Sequence, residues 1–136
     1  MGFSTVAATA IIGVSLLIGV ELIVSTTIPS LEDINNSYDE MRDRTIEQAQ
    51  TDVTIIAAVY ILPNTIVSVQ NTGSESIDTS KCNLLHNGVR IGFKSNIVFL
   101  HPEQTAILTI SNQRSEPGDI IKVITPNGVS DYHTFT

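Results

Sequence analysis

The chain has 136 residues, a net charge of −7, no tryptophan and a single cysteine. One thiol has no partner within the chain, which excludes an internal disulfide framework. No basic patch is available to neutralise phosphates, which argues against a nucleic-acid ligand.

The charge is unevenly placed. Residues 1–52 carry eight acids against Arg42 and Arg44, giving −6, while residues 53–136 carry six acids against five bases, giving −1. Residues 3–24, FSTVAATAIIGVSLLIGVELIV, contain one charged residue, Glu21. A helix rises about 1.5 Å per residue, so 20 residues cover the roughly 30 Å hydrocarbon core of a bilayer. Residues 1–29 are therefore expected to form an uncleaved, single-pass membrane anchor. No Lys or Arg precedes Arg42, so the basic residue that a secretory or pilin-type signal needs is missing. The far flank is acidic, whereas basic flanks mark cytoplasmic loops; this predicts the N-terminus inside and the remainder outside. Glu21 falls near the outer end, within reach of the interface. Ala7, Ala8, Ala10, Gly13, Ser15 and Gly19 form a small-residue set of the kind used in helix–helix contact in lipid.

Pro29, preceded by Ser25, Thr26 and Thr27, predicts a break or bend. Ser30 and Asp33 match the S-x-x-[DE] capping pattern and start a second helix, an amphipathic acidic stalk over residues 30–52. Leu31, Ile34, Tyr38 and Met41 form a narrow stripe at heptad spacing, which Thr45 and Gln48 continue as polar residues. The stripe is expected to start a coiled-coil contact or to lie on the domain that follows. Asn35-Asn36-Ser37 is an N-x-[ST] sequon and fits an external location.

From Asp52 the pattern becomes short β-rich runs between turn signals. The runs are 53–62, 65–70, 80–86, 89–93, 97–100, 105–111, 119–125 and 129–135. Asn87-Gly88 and Pro126-Asn127-Gly128 are the clearest hairpin signals. About eight strands with regular turns predict an immunoglobulin-like β-sandwich over residues 53–136, without the Cys…Trp…Cys set of true immunoglobulin domains. The first run, VTIIAAVYIL, is apolar enough to be a central strand or one covered by a second subunit, so a homodimer is left open.

No residue is assigned a catalytic, cofactor-binding or metal-binding role, and no enzymatic activity is expected. Cys82, in the strand-like run KCNLL, is read as a small core residue. A copper-like His₂Cys set from Cys82, His86, His101 and His133 is disfavoured by its spacing and by the lack of an axial methionine beyond Met1 and Met41. His86 and His101 are read as exposed turn residues. Glu75, Asp78, Glu103, Glu116, Asp119 and Asp131 are read as capping and solvating turns. The chain lacks G-x-S-x-G, H-E-x-x-H, P-loop and G-x-G-x-x-G motifs.

Three stretches resemble one family. MGFSTVAATAIIGVSLLI resembles the opening of FlaF (ArlF) proteins, accessory components of the archaellum, the archaeal flagellum. VSVQNTGSESIDTSKCNLLHNGV and EPGDIIKVITPNGVSDY are similar to that family's central and closing regions. The resemblance implies a stator protein of the motor. It would be anchored in the cytoplasmic membrane, with its β-sandwich in the pseudo-periplasmic space. The implied partners are the S-layer protein and a FlaG-type archaellum protein. A FlaG-type sister stator and an archaellin- or pilin-like filament subunit are the alternative readings.

Overall fold

The computed structural model describes residues 2–136. The chain divides into two compact units, one ending at Asp43 and one spanning Arg44–Thr136. A single helix, α1 (Gly2–Gln50), supplies the described part of the first unit and the opening residues of the second.

The composition of α1 explains its continuity. Alanines and leucines are strong helix formers. The hydroxyl residues that would compete with a helix bond back into it instead. Thr5, Thr9, Ser15, Ser25, Thr26 and Ser30 each donate to a carbonyl three or four residues earlier, at 2.7–3.2 Å. Such a hydroxyl needs no water, which suits an apolar surrounding. No side chain of α1 is buried, and the helix is long and apolar enough to cross a membrane.

The expected break at Pro29 is absent, and α1 runs through it. A proline removes one backbone donor, here the one that would meet the Ser25 carbonyl, and α1 continues on both sides of it. Ser25 and Thr26 both donate to the Leu22 carbonyl, and Ser30 Oγ donates to the Thr26 carbonyl at 2.8 Å. Ser30 therefore serves the interior of α1 rather than capping a second helix. The stalk predicted over residues 30–52 is the later part of α1, which ends at Gln50. Leu31, Ile34, Tyr38 and Met41 are exposed.

The second unit is built from antiparallel strands: β1 (Val53–Ile61), β2 (Asn64–Asn71), β3 (Ile77–Asp78), β4 (Asn83–His86), β5 (Val89–Ile91), β6 (Lys94–Ser95), β7 (Phe99–Leu100), β8 (Thr105–Ile110), β9 (Ile120–Ile124) and β10 (Ser130–Thr134). They form two four-stranded sheets, ordered β1-β2-β8-β6 and β10-β9-β4-β5, and a short β3-β7 pair. The predicted runs all contain strands, with two additions. The start of the 80–86 run is a 3₁₀ turn over Thr79–Lys81, preceded by β3, and Lys94-Ser95 pairs with β8 instead of separating strands.

Period-2 alternation places the core. In β2, Thr65, Val67, Val69 and Asn71 are buried while their neighbours are half-exposed. In β8, Ala106, Leu108 and Ile110 do the same. These residues meet Val53, Ile55 and Ala58 of β1, and also Leu84, Ile121 and Val123 of the other sheet, in one continuous hydrophobic cluster. Full burial of a Val, Leu or Ile contributes about 1.5–3 kcal/mol, so the shared core holds the two sheets together.

β1 is an edge strand, not a central one. Its apolar sequence is not buried on both faces, since Ile56, Val59 and Ile61 are exposed. The register slips between Ile55 and Ala57, and the Ile55 N–H donates to Asp131 Oδ2 of β10 at 2.8 Å. Asp131 therefore links the edges of the two sheets rather than solvating a turn.

The Asn87-Gly88 hairpin forms as predicted, with φ of 49° and 82°, a two-residue loop that favours these residue types. The Asn87 side chain ties the loop to β9, accepting from the Ile120 N–H and donating to Asp119 Oδ1, both at 2.8 Å. Asp119 also accepts from the Glu116 N–H. The Asn87 hydrogen bond foremost, then that of Glu116, lowers the Asp119 pKa below its ordinary 3.8. Asp78 is lowered likewise, chiefly by the Ser80 hydroxyl. A carboxyl with a depressed folded pKa contributes stability that is complete above its unfolded value and is lost as pH falls through the folded one. Thermal unfolding followed by circular dichroism is thus expected to give a Tm that drops once the pH passes below about 4. Asp119→Asn should lower the neutral-pH Tm and flatten that acid limb; an unchanged limb would show that Asp119 does not contribute.

Candidate functional site

The most heavily bonded polar site in the second unit is the joint where α1 meets β1. A helix leaves its last carbonyls without intrahelical donors. Here the segment Asn71–Glu75 supplies donors to the last of them, on Gln50, and to Asp52 just past the helix. The Gln50 carbonyl accepts from the Ser74 N–H at 2.8 Å and the Glu75 N–H at 3.3 Å. The Asp52 carbonyl accepts from the Thr72 and Gly73 N–H groups at 3.1 and 3.2 Å. The Asp52 carboxylate accepts from the Val53 N–H and from the Thr72 hydroxyl. The Thr51 hydroxyl donates to the Glu47 carbonyl at 2.7 Å and accepts from Asn127 Nδ2 at 2.9 Å. Residues 51 and 52, which alone separate helix from strand, are both fixed by hydrogen bonds.

Asn71 supports this segment from beneath. Its side chain is fully buried, donates to the Glu75 carbonyl at 2.6 Å and the Leu100 carbonyl at 2.9 Å, and accepts from the Gly73 N–H. A buried amide with its donors and acceptor all paired rigidifies what it touches, while removal of one partner exposes a desolvation cost. Gly73 is required by space, because a Cβ there would fall onto the Asp52 N and the Gln50 O. The sequence signal Asn71-Thr72-Gly73 marks a turn; its role as the clasp of a helix end depends on partners more than 20 positions distant in the chain and is not visible in the motif.

The residues weighed for metal binding lie in separate surroundings. His101 is exposed, with Nδ1 2.9 Å from the Ser76 hydroxyl. His133 packs edge-on against Phe135, with ring centroids 6.0 Å apart. His86 is buried rather than exposed at its turn. Its Nδ1 lies 3.2 Å from Gln113 Nε2, and its Nε2 lies 3.2 Å from Asp119 Oδ2 without the alignment of a hydrogen bond. Burial arises because β4 pairs on both sides, with β5 and with β9, so a side chain at its end is covered by the 111–119 loop. Among the described residues no group of three His, Cys, Asp or Glu comes together as a metal site.

Cys82 is buried, with Sγ 3.6 Å from the Asp78 carbonyl, at the inner wall of a cleft of about 630 Å³. Burial, reinforced by the Asp78 charge, pushes its thiol up to about 11. At neutral pH it is protonated and a poor nucleophile or ligand. Asp78 itself caps the 3₁₀ turn, accepting from Ser80 N–H and Oγ, with Lys81 at 3.4 Å.

Searches of protein-family models and of curated proteins find no match to the chain.

Two outcomes test this geometry. Gly73→Ala forces the clasp away from Gln50. The loss of one or two helix-end hydrogen bonds is expected to cost about 1–3 kcal/mol and to lower the Tm by roughly 4–8 °C per kcal/mol. Amide exchange at Ser74 should rise at the same time; an unchanged exchange rate would show that the clasp does not hold the helix end. Cys82 should alkylate with iodoacetamide at pH 8 far more slowly in the folded chain than in urea, as read by mass spectrometry. Equal rates would show an accessible thiolate.

Proposed function

We propose that this protein is a membrane-anchored structural strut without enzymatic activity. The apolar first half of α1 spans a membrane, and the two sheets form an immunoglobulin-like β-sandwich on the extracytoplasmic side. The observation that carries this reading is the absence of any free linker between helix and sheets. α1 is one 49-residue element, and the two residues that follow it are bonded at backbone and side chain. Force on a domain joined in this way passes to its helix instead of extending a loose tether. A catalytic scaffold would need a convergent set of reactive groups. Cys82 is buried and protonated, and the histidines stand apart.

The FlaF resemblance specifies the strut as an archaellum stator. The sandwich would bind the S-layer while α1 holds the protein in the cytoplasmic membrane. A FlaG-type protein would be its companion. A rotating filament needs a fixed reaction point, and a stiff helix clasped to a compact domain supplies one mechanically.

The test is co-sedimentation. The full chain in lipid nanodiscs is expected to pellet with isolated S-layer sheets at neutral and at acidic pH, and empty nanodiscs are not. Absence of the protein from the pellet at both pH values would overturn the stator reading.

A further inference from the structure

Two sheet edges meet on one side of the second unit. β5 is the last strand of one sheet and β6 the last strand of the other, and the chain crosses between them through Gly92 and Phe93. That side is hollow. A cleft of about 630 Å³ opens there, walled by Thr79, Cys82, Arg90, Phe93, Ser95 and Val98. Its volume lies in the range of small-ligand sites, roughly 300–1,000 Å³.

The register shows what the β5 edge offers. Asn87-Gly88 closes a two-residue hairpin, so its flanking residues His86 and Val89 exchange backbone hydrogen bonds. The next pair, Leu85 and Arg90, is then a non-hydrogen-bonded pair on this side. The Arg90 N–H and C=O therefore point away from β4 and onto the open edge. Natural sheets commonly protect such an edge with a bulge, a proline or a covering segment. β1, the outer strand of the other sheet, has a bulge and gives its Ile55 N–H to Asp131. β5 has neither device; its protection is its three-residue length and the charge of Arg90, so the edge it offers is the N–H and C=O of that one residue.

Charge adds direction. Arg90 is exposed, has no acidic partner among the described residues, and is the one charged residue lining the cleft. The cleft thus combines an open strand edge, an unpaired cation and an apolar wall at Phe93 and Val98.

We propose that this cleft binds an extended peptide segment. The segment adds as a strand along β5, sets a carboxylate side chain beside Arg90 and lays an apolar side chain against Phe93 and Val98. Backbone pairing at Arg90, the charge pair and the apolar wall together supply the affinity, and Arg90 and the wall supply the selection. This inference stands apart from the stator reading, since it uses only β5, β6 and the cleft between them.

The test uses the full chain in detergent micelles and fluorescently labelled octapeptides of alternating valine and threonine. One carries glutamate at its centre, one carries lysine there, and a third carries the glutamate with alternate backbone amides methylated. The glutamate probe is expected to bind with a Kd of about 100 µM, the lysine probe about five- to tenfold more weakly, and the methylated probe at least tenfold more weakly. Arg90→Glu should reverse the preference between the charged probes. Gly92→Leu should weaken every probe by about tenfold. Gly92 lines the cleft and a Cβ there meets nothing within 4 Å, so the backbone admits a side chain, and circular dichroism checks that both variants fold. The proposal is overturned by equal binding of the charged probes, by binding indifferent to methylation or to Gly92→Leu, or by no binding at millimolar peptide.

Discussion

The second unit depends on how the end of α1 is satisfied. A 49-residue helix ends two residues before the first strand of the sheets, and its last carbonyls have no donors within the helix. The Asn71–Glu75 segment meets the last of them, on Gln50, with two backbone donors and directs two more at Asp52, just past the helix. Those donors converge because Asn71, buried beneath them, fixes the segment to the Glu75 and Leu100 carbonyls. Leu100 belongs to β7, which pairs with β3, so one side chain connects the helix end, the end of β2 and the short third pair of strands. Gly73 is the one position where a side chain would separate them.

The sheets show the same economy of polar groups. Thr65, Thr79 and Thr125 are buried, and each hydroxyl reaches a carbonyl, on Gln113, Ile97 and Val129 respectively. These bonds tie loops to strands where the apolar core ends. His86 departs from the pattern, because its Nε2 is enclosed near Asp119 but poorly aligned with it. The outer edges are treated unequally as well. Asp131 links β1 to β10, whereas β5 and β6 leave a hollow lined by a single cation.

What the sequence revealed follows the range of the forces involved. Strand periodicity and the Asn87-Gly88 turn are local, and both were legible: alternation at Val67 and Val69, and again at Ala106 and Leu108, marks the core face directly. The break expected at Pro29 rests on a proline's local penalty, and the helix continues through that position as one element. β1 is an edge strand rather than a central one, and its apolar composition masks an alternation interrupted by the bulge after Ile55. His86 was taken for a turn residue from its neighbours in sequence, although its burial comes from the loop after β8. The clasp and the cleft were not legible at all. The clasp joins residues 50–52 to residues 71–75, and the cleft joins the turn at 79–82 to strands on two different sheets.

Stiffness and recognition are separable in this arrangement. The clasp uses residues 47–52, 71–75 and 127, and the cleft uses residues 79–98. The two sets share no residue, so a partner strand added along β5 would not compete for the bonds that hold the helix end. They are linked through β3 and β7, which lie between them in the chain, and through the core, where Cys82 and Leu84 pack with Val53 and Val69 in one cluster. Close-packed interiors deform little, so a load applied at the β5 edge would reach the helix end through that cluster with little loss to internal slack.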